Sequence, residues 1–143
     1  MVHKNDILKL DNQLCFAVYA FSREITNQYK PMLHELGLTY PQYLVLLVLW
    51  QHKEQTVNQL GEQLRLDSGT LTPLLKRMEQ KGVLTRTRSE SDERVVMVSL
   101  TTKGKAMKTK AQCIPEKLAQ SLNMSVKEVM QLQKTIRKIL TNI

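Results

Sequence analysis

Apolar positions follow helical spacing along most of this chain and strict alternation in one short stretch. The pattern is clearest between residues 56 and 100. In TVNQLGEQL, Val57, Leu60 and Leu64 share one helical face, and Thr56 with Gln59 forms a capping box that satisfies orphan amides at a helix start. Arg65, Leu66 and Asp67 make a turn. Asp67 then caps a second helix, SGTLTPLLKRMEQKG, with an inward stripe of Leu71, Leu74, Leu75 and Met78 and a stop at Gly82. Pro73 lies near the first turn, where a missing N–H costs little. Residues 83–88 and 94–100 alternate β-branched and polar side chains around a polar loop at 89–93, which predicts a hairpin.

Long helices flank this segment. Residues 7–36 predict one helix carrying Leu10, Leu14, Val18, Phe21, Ile25 and Leu36, with a kink or break near Tyr29 because of Pro31, and an end at Gly37. Residues 39–50 predict another, opened by a Thr39/Gln42 capping box with Pro41 in its first turn. Its run YLVLLVLW is apolar around the whole circumference and so must be covered on all sides. After the hairpin, Thr101 or Thr102 caps a helix lined by Met107, Ala111, Ile114, Leu118 and Leu122, which Pro115 should kink. Ser125 and Glu128 cap the last helix, where Val129, Leu132, Ile136, Ile139 and Leu140 make a seam near heptad spacing.

The expected fold is therefore mostly α with a small β-hairpin wing (α+β): a winged helix-turn-helix with long N- and C-terminal helices. It reads as a single domain, 1–143, in which 39–101 is the head and 1–38 and 102–143 form a helical dimerisation region. One head cannot easily cover so much apolar helix, and a second copy of the chain would. The alternative is a monomer whose termini fold back on the head.

Charge and composition narrow the function. The net charge is +8 and the sequence pI about 9.6, which suits a polyanionic partner. Most of the excess sits at 103–143, with 9 basic and 2 acidic residues, against 7 and 5 at 65–102. Those lysines either solvate an exposed helix face or add long-range attraction to DNA. No apolar run approaches the ~20 residues that cross a bilayer, and the start MVHKND lacks a signal-peptide core, so a cytoplasmic location without membrane contact is expected. Cys15 and Cys113 stand far apart with no CxxC spacing, and His3, His34 and His52 show no ligand spacing, so neither a metal nor a cofactor is expected. No Ser/His/Asp set or phosphate-cradling glycine loop points to an enzyme, although a thiol peroxidase using Cys15 is a competing class.

The second helix of the head turns Ser68, Thr70, Thr72, Pro73, Lys76 and Arg77 outward. Small hydrogen-bonding side chains near its N-terminus can approach base edges in a major groove, and cations one turn later can meet phosphate. Thr70 and Thr72 are candidates for base or phosphate contact. On the hairpin, Arg86 and Arg88 alternate with threonines, Arg86 being a candidate DNA contact, and Arg94 stands at the loop, where it can enter a minor groove while Asp92 holds its guanidinium.

The segments LDSGTLTPLLKRMEQKGVLTR and SESDERVVMVSLTTKG, with the order of helices around them, resemble the MarR family of winged-helix transcription regulators. LDNQLCFAVYAFSREI at 10–25, YKPMLHELGLTYPQYLVLLVLW at 29–50 and IPEKL at 114–118 are similar to its organic hydroperoxide resistance repressors. That resemblance implies a homodimeric repressor on a palindromic DNA operator, released when organic hydroperoxide oxidises a cysteine matching Cys15. It implies Tyr19, Tyr29 and Tyr40 around that cysteine, the last two from the other subunit, and gives Asp92 and Arg94 the wing roles. The residues themselves fit such chemistry. Tyr19 lies one turn from Cys15 and can donate to a thiolate, while Leu14, Phe16 and Phe21 make an apolar mouth suited to an organic oxidant. Cys113 is either a resolving thiol or a spectator. The runner-up function is a regulator of the same family switched by a small phenolic or drug-like ligand.

Overall fold

The computed structural model describes residues 4–143. The first three residues of the MVHKND start, His3 among them, lie outside the described residues. Helix α1 spans Leu14–His34 and α2 Tyr40–His52; strand β1 is Glu54–Thr56; α3 is Val57–Leu64 and α4 Ser68–Gln80; strands β2 and β3 are Leu84–Arg88 and Val96–Leu100; α5 is Thr102–Ala111, α6 Ile114–Ser121 and α7 Val126–Thr141. This is the mostly helical winged helix-turn-helix expected, with corrections to the first helix, to the helix after the hairpin and to the sheet.

The first helix begins at Leu14 rather than residue 7. Lys4–Asp6 and Leu10–Asn12 are short 3-10 turns instead, fastened where the Asn12 and Gln13 side-chain amides donate to the carbonyls of Asp6 and Ile7. Helix α1 also runs unbroken through Pro31, against the expected kink or break near Tyr29. Second, Pro115 separates two helices instead of kinking one. It occupies the first turn of α6, where a missing N–H costs nothing, and Cys113 lies at the junction rather than within a helix. Third, the sheet has three strands in the order β1-β3-β2, all antiparallel. Gln55 faces Val98 and Arg86 faces Val98 from the other side. The hairpin arms are shorter than 83–88 and 94–100 suggest, because Arg94 and Val95 belong to the loop.

Helix α2 is the spine. Tyr43, Val45, Leu46, Val48 and Leu49 are buried against α1, α3, α4, α5 and the sheet, joined by Leu33, Leu60, Leu71, Leu75, Met78, Leu84 and Val98. Each such side chain contributes about 1.5–3 kcal/mol by leaving water. Trp50 Nε1 donates to the Gly104 carbonyl at 2.9 Å, fixing the end of α2 to the start of α5. Gly104 must be glycine, since a Cβ there would collide with the Val83 carbonyl oxygen.

Two surfaces stay uncovered by the single chain. On α1, Leu14 (77% exposed), Phe16, Val18 and Tyr19 face solvent; α7 buries no residue, and Leu132, Ile136, Ile139 and Leu140 of its seam are all exposed. The apolar run of α2 likewise leaves Leu47 exposed, against the expectation that it is covered on all sides. No helix of the described residues is long and apolar enough to cross a membrane.

Candidate nucleic-acid interface and thiol site

The head is built by local rules. Thr56 Oγ1 accepts from the Gln59 amide at 3.0 Å while Gln59 Oε1 accepts from the Thr56 amide at 2.8 Å, completing the capping box of α3. Arg65 turns the chain in the left-handed conformation (φ 55°). Asp67 Oδ1 accepts from the Thr70 amide at 2.7 Å, and hydrogen bonds from the Thr70 side chain and amide hold its carboxyl below the usual carboxylate range. With Leu71, Leu74, Leu75 and Met78 inward, the outer face of α4 presents Ser68, Thr70, Thr72, Pro73, Lys76 and Arg77, all exposed.

The wing loop is closed by Ser89 donating to the Val95 carbonyl at 2.8 Å and Val95 to the Asp92 carbonyl at 3.0 Å. Asp92 Oδ1 accepts twice from Arg94, from the amide at 3.0 Å and from Nε at 3.2 Å, yet the Arg94 side chain remains 91% exposed. It is aimed without being sequestered. The two other wing arginines are engaged. Arg88 Nη1 donates to the Glu93 carbonyl at 2.8 Å. The Arg86 amide donates to Glu79 Oε2 at 2.9 Å and its Nη2 to Oε1 at 3.3 Å, which lowers the Glu79 carboxyl pKa. Arg86 thus braces the wing against α4, a role its alternation with threonines gave no sign of. Its Nε is buried without a hydrogen-bond partner among the described residues. A cleft of about 220 Å³ separates α4 from the wing, lined by Thr56, Asn58, Ser68, Thr72, Arg86 and Arg94.

Cys15, the second residue of α1, is exposed. Tyr19 follows one turn on, with the Arg23 guanidinium 5.6 Å from its ring centroid. Tyr29 and Tyr40 lie elsewhere. Their ring centroids are 5.0 Å apart, Tyr43 is 5.7 Å from Tyr29, and Trp50 is 6.4 Å from Tyr43. Tyr29 lies fourteen positions after Cys15 in the same helix, about 21 Å along α1 at 1.5 Å per residue. A single chain therefore does not bring the cysteine to that cluster. Cys113 is exposed, its thiol donating to the Lys110 carbonyl at 3.6 Å.

Burial, followed by the neighbouring Tyr43 and Tyr40, pushes the Tyr29 phenol up to about 12, and burial also raises Tyr40 and Tyr43. All three therefore stay protonated at neutral pH and keep an O–H to donate. The folded-state pKa of Tyr29 exceeds the ordinary value of 10.0, so its contribution to stability is complete below pH 10 and disappears as pH rises through about 12. Ultraviolet titration of phenolate should show three late-ionising tyrosines, and Tyr29→Phe should remove one of them.

A helix-turn-helix with a braced wing, carried on long helices with uncovered apolar faces, is the architecture of a winged-helix transcription regulator. The family model described as transcriptional regulator SarA/Rot matches residues 27–111. The organic hydroperoxide resistance transcriptional regulator of Bacillus subtilis is 53% identical over 143 residues, covering 100% of this chain and 97% of that protein. AbfR of Staphylococcus epidermidis has the same fold: its reduced, DNA-bound structure gives a TM-score of 0.77 at 37% identity, covering 98% of both chains, and its disulfide-formed structure 0.68 at 38%, covering 96% of both. A mutant MarR from E. coli, complexed with operator DNA, gives 0.78 at 29% identity, covering 95% of this chain and 96% of that one. The chain belongs to the MarR family of winged-helix transcription regulators, and within it is similar to the organic hydroperoxide resistance regulators.

Proposed function

We propose that this chain is a redox-sensing repressor that grips a palindromic DNA operator as a homodimer and lets go when organic hydroperoxide oxidises Cys15. The observation that carries this reading is the separation of Cys15 from Tyr29 and Tyr40 within one chain. The exposed apolar faces of α1 and α7 call for a second copy, and a second copy can bring each Cys15 to the partner's Tyr29 and the partner's Tyr40. Residues 39–101 serve as the head, and 1–38 with 102–143 as the pairing region.

In the dimer the neutral tyrosines donate hydrogen bonds that favour the Cys15 thiolate. The thiolate sulfur attacks one peroxide oxygen; an S–O bond forms as the O–O bond breaks, and the departing alkoxide takes a proton to leave as alcohol. The sulfur is oxidised by two electrons and the peroxide reduced. The resulting sulfenic acid condenses with a thiol, losing water. A small thiol or Cys113 of the partner subunit supplies it, and the existence of a disulfide-formed relative supports the second route. The tyrosine hydrogen bonds are lost, the pairing helices shift, and the two heads no longer match the operator spacing.

The test is operator binding by the reduced protein and by protein given stoichiometric organic hydroperoxide, with mass spectrometry of both cysteines. Release together with a modified Cys15 is expected; unchanged binding by fully oxidised Cys15 would overturn the reading. A second reading draws on a largely apolar cleft of about 630 Å³ between α1 and α2, lined by Leu33, His34, Leu38, Tyr40 and Pro41 among others. Release by a phenolic ligand, with both cysteines reduced, would favour it.

On DNA, Arg94 occupies the minor groove and Asp92 aims it. Ser68, Thr70, Thr72 and Pro73 face the major groove, and Lys76 and Arg77 meet phosphate. Arg86 acts through its brace to Glu79. Lys76→Ala should weaken binding to every duplex alike and reduce the salt slope by about one phosphate contact per head. Affinity measured across a salt series on specific and random DNA checks both parts.

A further inference from the structure

We infer that Lys81 is the mechanical link through which the tyrosine cluster positions the recognition helix α4. The inference rests on the redox reading above. Lys81 is the C-cap residue of α4. Its ammonium reaches 44 and 39 positions back along the chain, donating to the Gly37 carbonyl at 2.8 Å and to Gln42 Oε1 at 3.1 Å. Its own carbonyl accepts from Lys103 Nζ at 2.9 Å, and the next carbonyl, of Gly82, accepts from Thr101 Oγ1 at 2.6 Å. One residue thus joins the α1–α2 turn, the start of α2, the end of α4 and the start of α5.

Its partner is as telling. Gln42 is the one buried polar side chain among the described residues, only 2% exposed. Its Oε1 is used twice, accepting from the Thr39 amide at 3.1 Å as part of the α2 capping box and from Lys81. Tyr40 sits inside that capping box, between Thr39 and Gln42, and Tyr43 follows it directly. A displacement of Tyr40 that moves its backbone therefore disturbs the cap that holds Lys81. Helix α4 has 13 residues and is about 20 Å long. A small shift at its Lys81 end, pivoting on buried Leu74 and Leu75, swings the opposite end, which carries Ser68, Thr70 and Thr72. A charge-assisted bond to a buried acceptor is suited to transmit such a shift.

The experiment measures operator affinity by fluorescence anisotropy, using a duplex selected by the reduced parent from a random-sequence pool. The full-length parent, Lys81→Met, Lys81→Arg and Gln42→Glu proteins are each compared reduced and after one equivalent of cumene hydroperoxide per Cys15. Lys81→Met is expected to shrink the reduced-to-oxidised affinity ratio about tenfold or more while changing reduced affinity less than about threefold. Lys81→Arg, which keeps donors, and Gln42→Glu, which keeps and strengthens the acceptor, should retain the parent ratio. A Lys81→Met ratio equal to the parent's overturns the link. So does an equal loss of affinity in both redox states, which marks a simple structural staple. A parent that ignores peroxide instead overturns the redox reading itself.

Discussion

Arg94→Ala is expected to lower operator affinity by about 30-fold or more, from roughly 1–3 kcal/mol lost at each of two wings. The size of the effect follows from the geometry. Asp92 fixes both the backbone and Nε of Arg94, so little side-chain freedom remains to be lost on binding, yet the guanidinium is almost wholly open to solvent. Negative potential is focused in a narrow minor groove, and a pre-aimed cation gains most there. The same exposure predicts that the thermal midpoint stays where it was, so the loss is one of binding rather than folding. Arg94→Lys should fall between the two, because it keeps the charge but gives up the Nε contact to Asp92. Anisotropy on operator DNA, paired with a thermal melt, checks the claim. Parent-like affinity in the alanine variant would remove the wing from the binding model.

Cys15→Ser should bind operator as the reduced parent does and fail to release it under organic hydroperoxide. A nearly complete switch requires the released state to gain about 5.5 kcal/mol, a factor near 10⁴, and serine has no sulfur to oxidise. Cys15 is exposed in the single chain, so the substitution empties no core site there. Cys113→Ser separates the two fates of the sulfenic acid. If Cys113 of the partner subunit resolves it, this variant loses the peroxide-dependent covalent dimer seen on a non-reducing gel. A covalent dimer that persists in Cys113→Ser excludes the resolving role. Peroxide release that persists in Cys15→Ser would move the sensor to another group.

Much of the head is legible in the sequence because its rules are local. The capping boxes at Thr39, Thr56 and Ser125 and the cap at Asp67 each act over three residues, and all four appear where the residue types place them. The apolar stripe of α4 also reads directly, since helical spacing and a common core demand the same positions. Strand β1 is different. Three residues, EQT, are too few to show alternation, and they become a strand only because β3 offers an unpaired edge. The start of the first helix fails for a related reason. Apolar spacing from residue 7 onward suits a helix, but Asn12 and Gln13 turn their amides back onto earlier carbonyls, and the backbone closes into short turns. Pro31 and Pro115 look alike in sequence, yet one sits inside an unbroken helix and the other opens a new one.

The candidate site divides the same way. The outward face of α4 and the Asp92–Arg94 pair lie within a few residues and can be read from spacing. The Glu79–Arg86 brace and the Lys81–Gln42 contact cannot, because each joins segments that meet only after the chain has folded. By itself the sequence determined the helices, their caps and the exposed reading surface, since those depend on neighbours three or four positions away. Tertiary structure alone decided that Arg86 braces the wing against α4, which strand completes the sheet, and that Tyr29 packs against Tyr40 and Tyr43. Those outcomes depend on distances between remote segments, which no local pattern encodes.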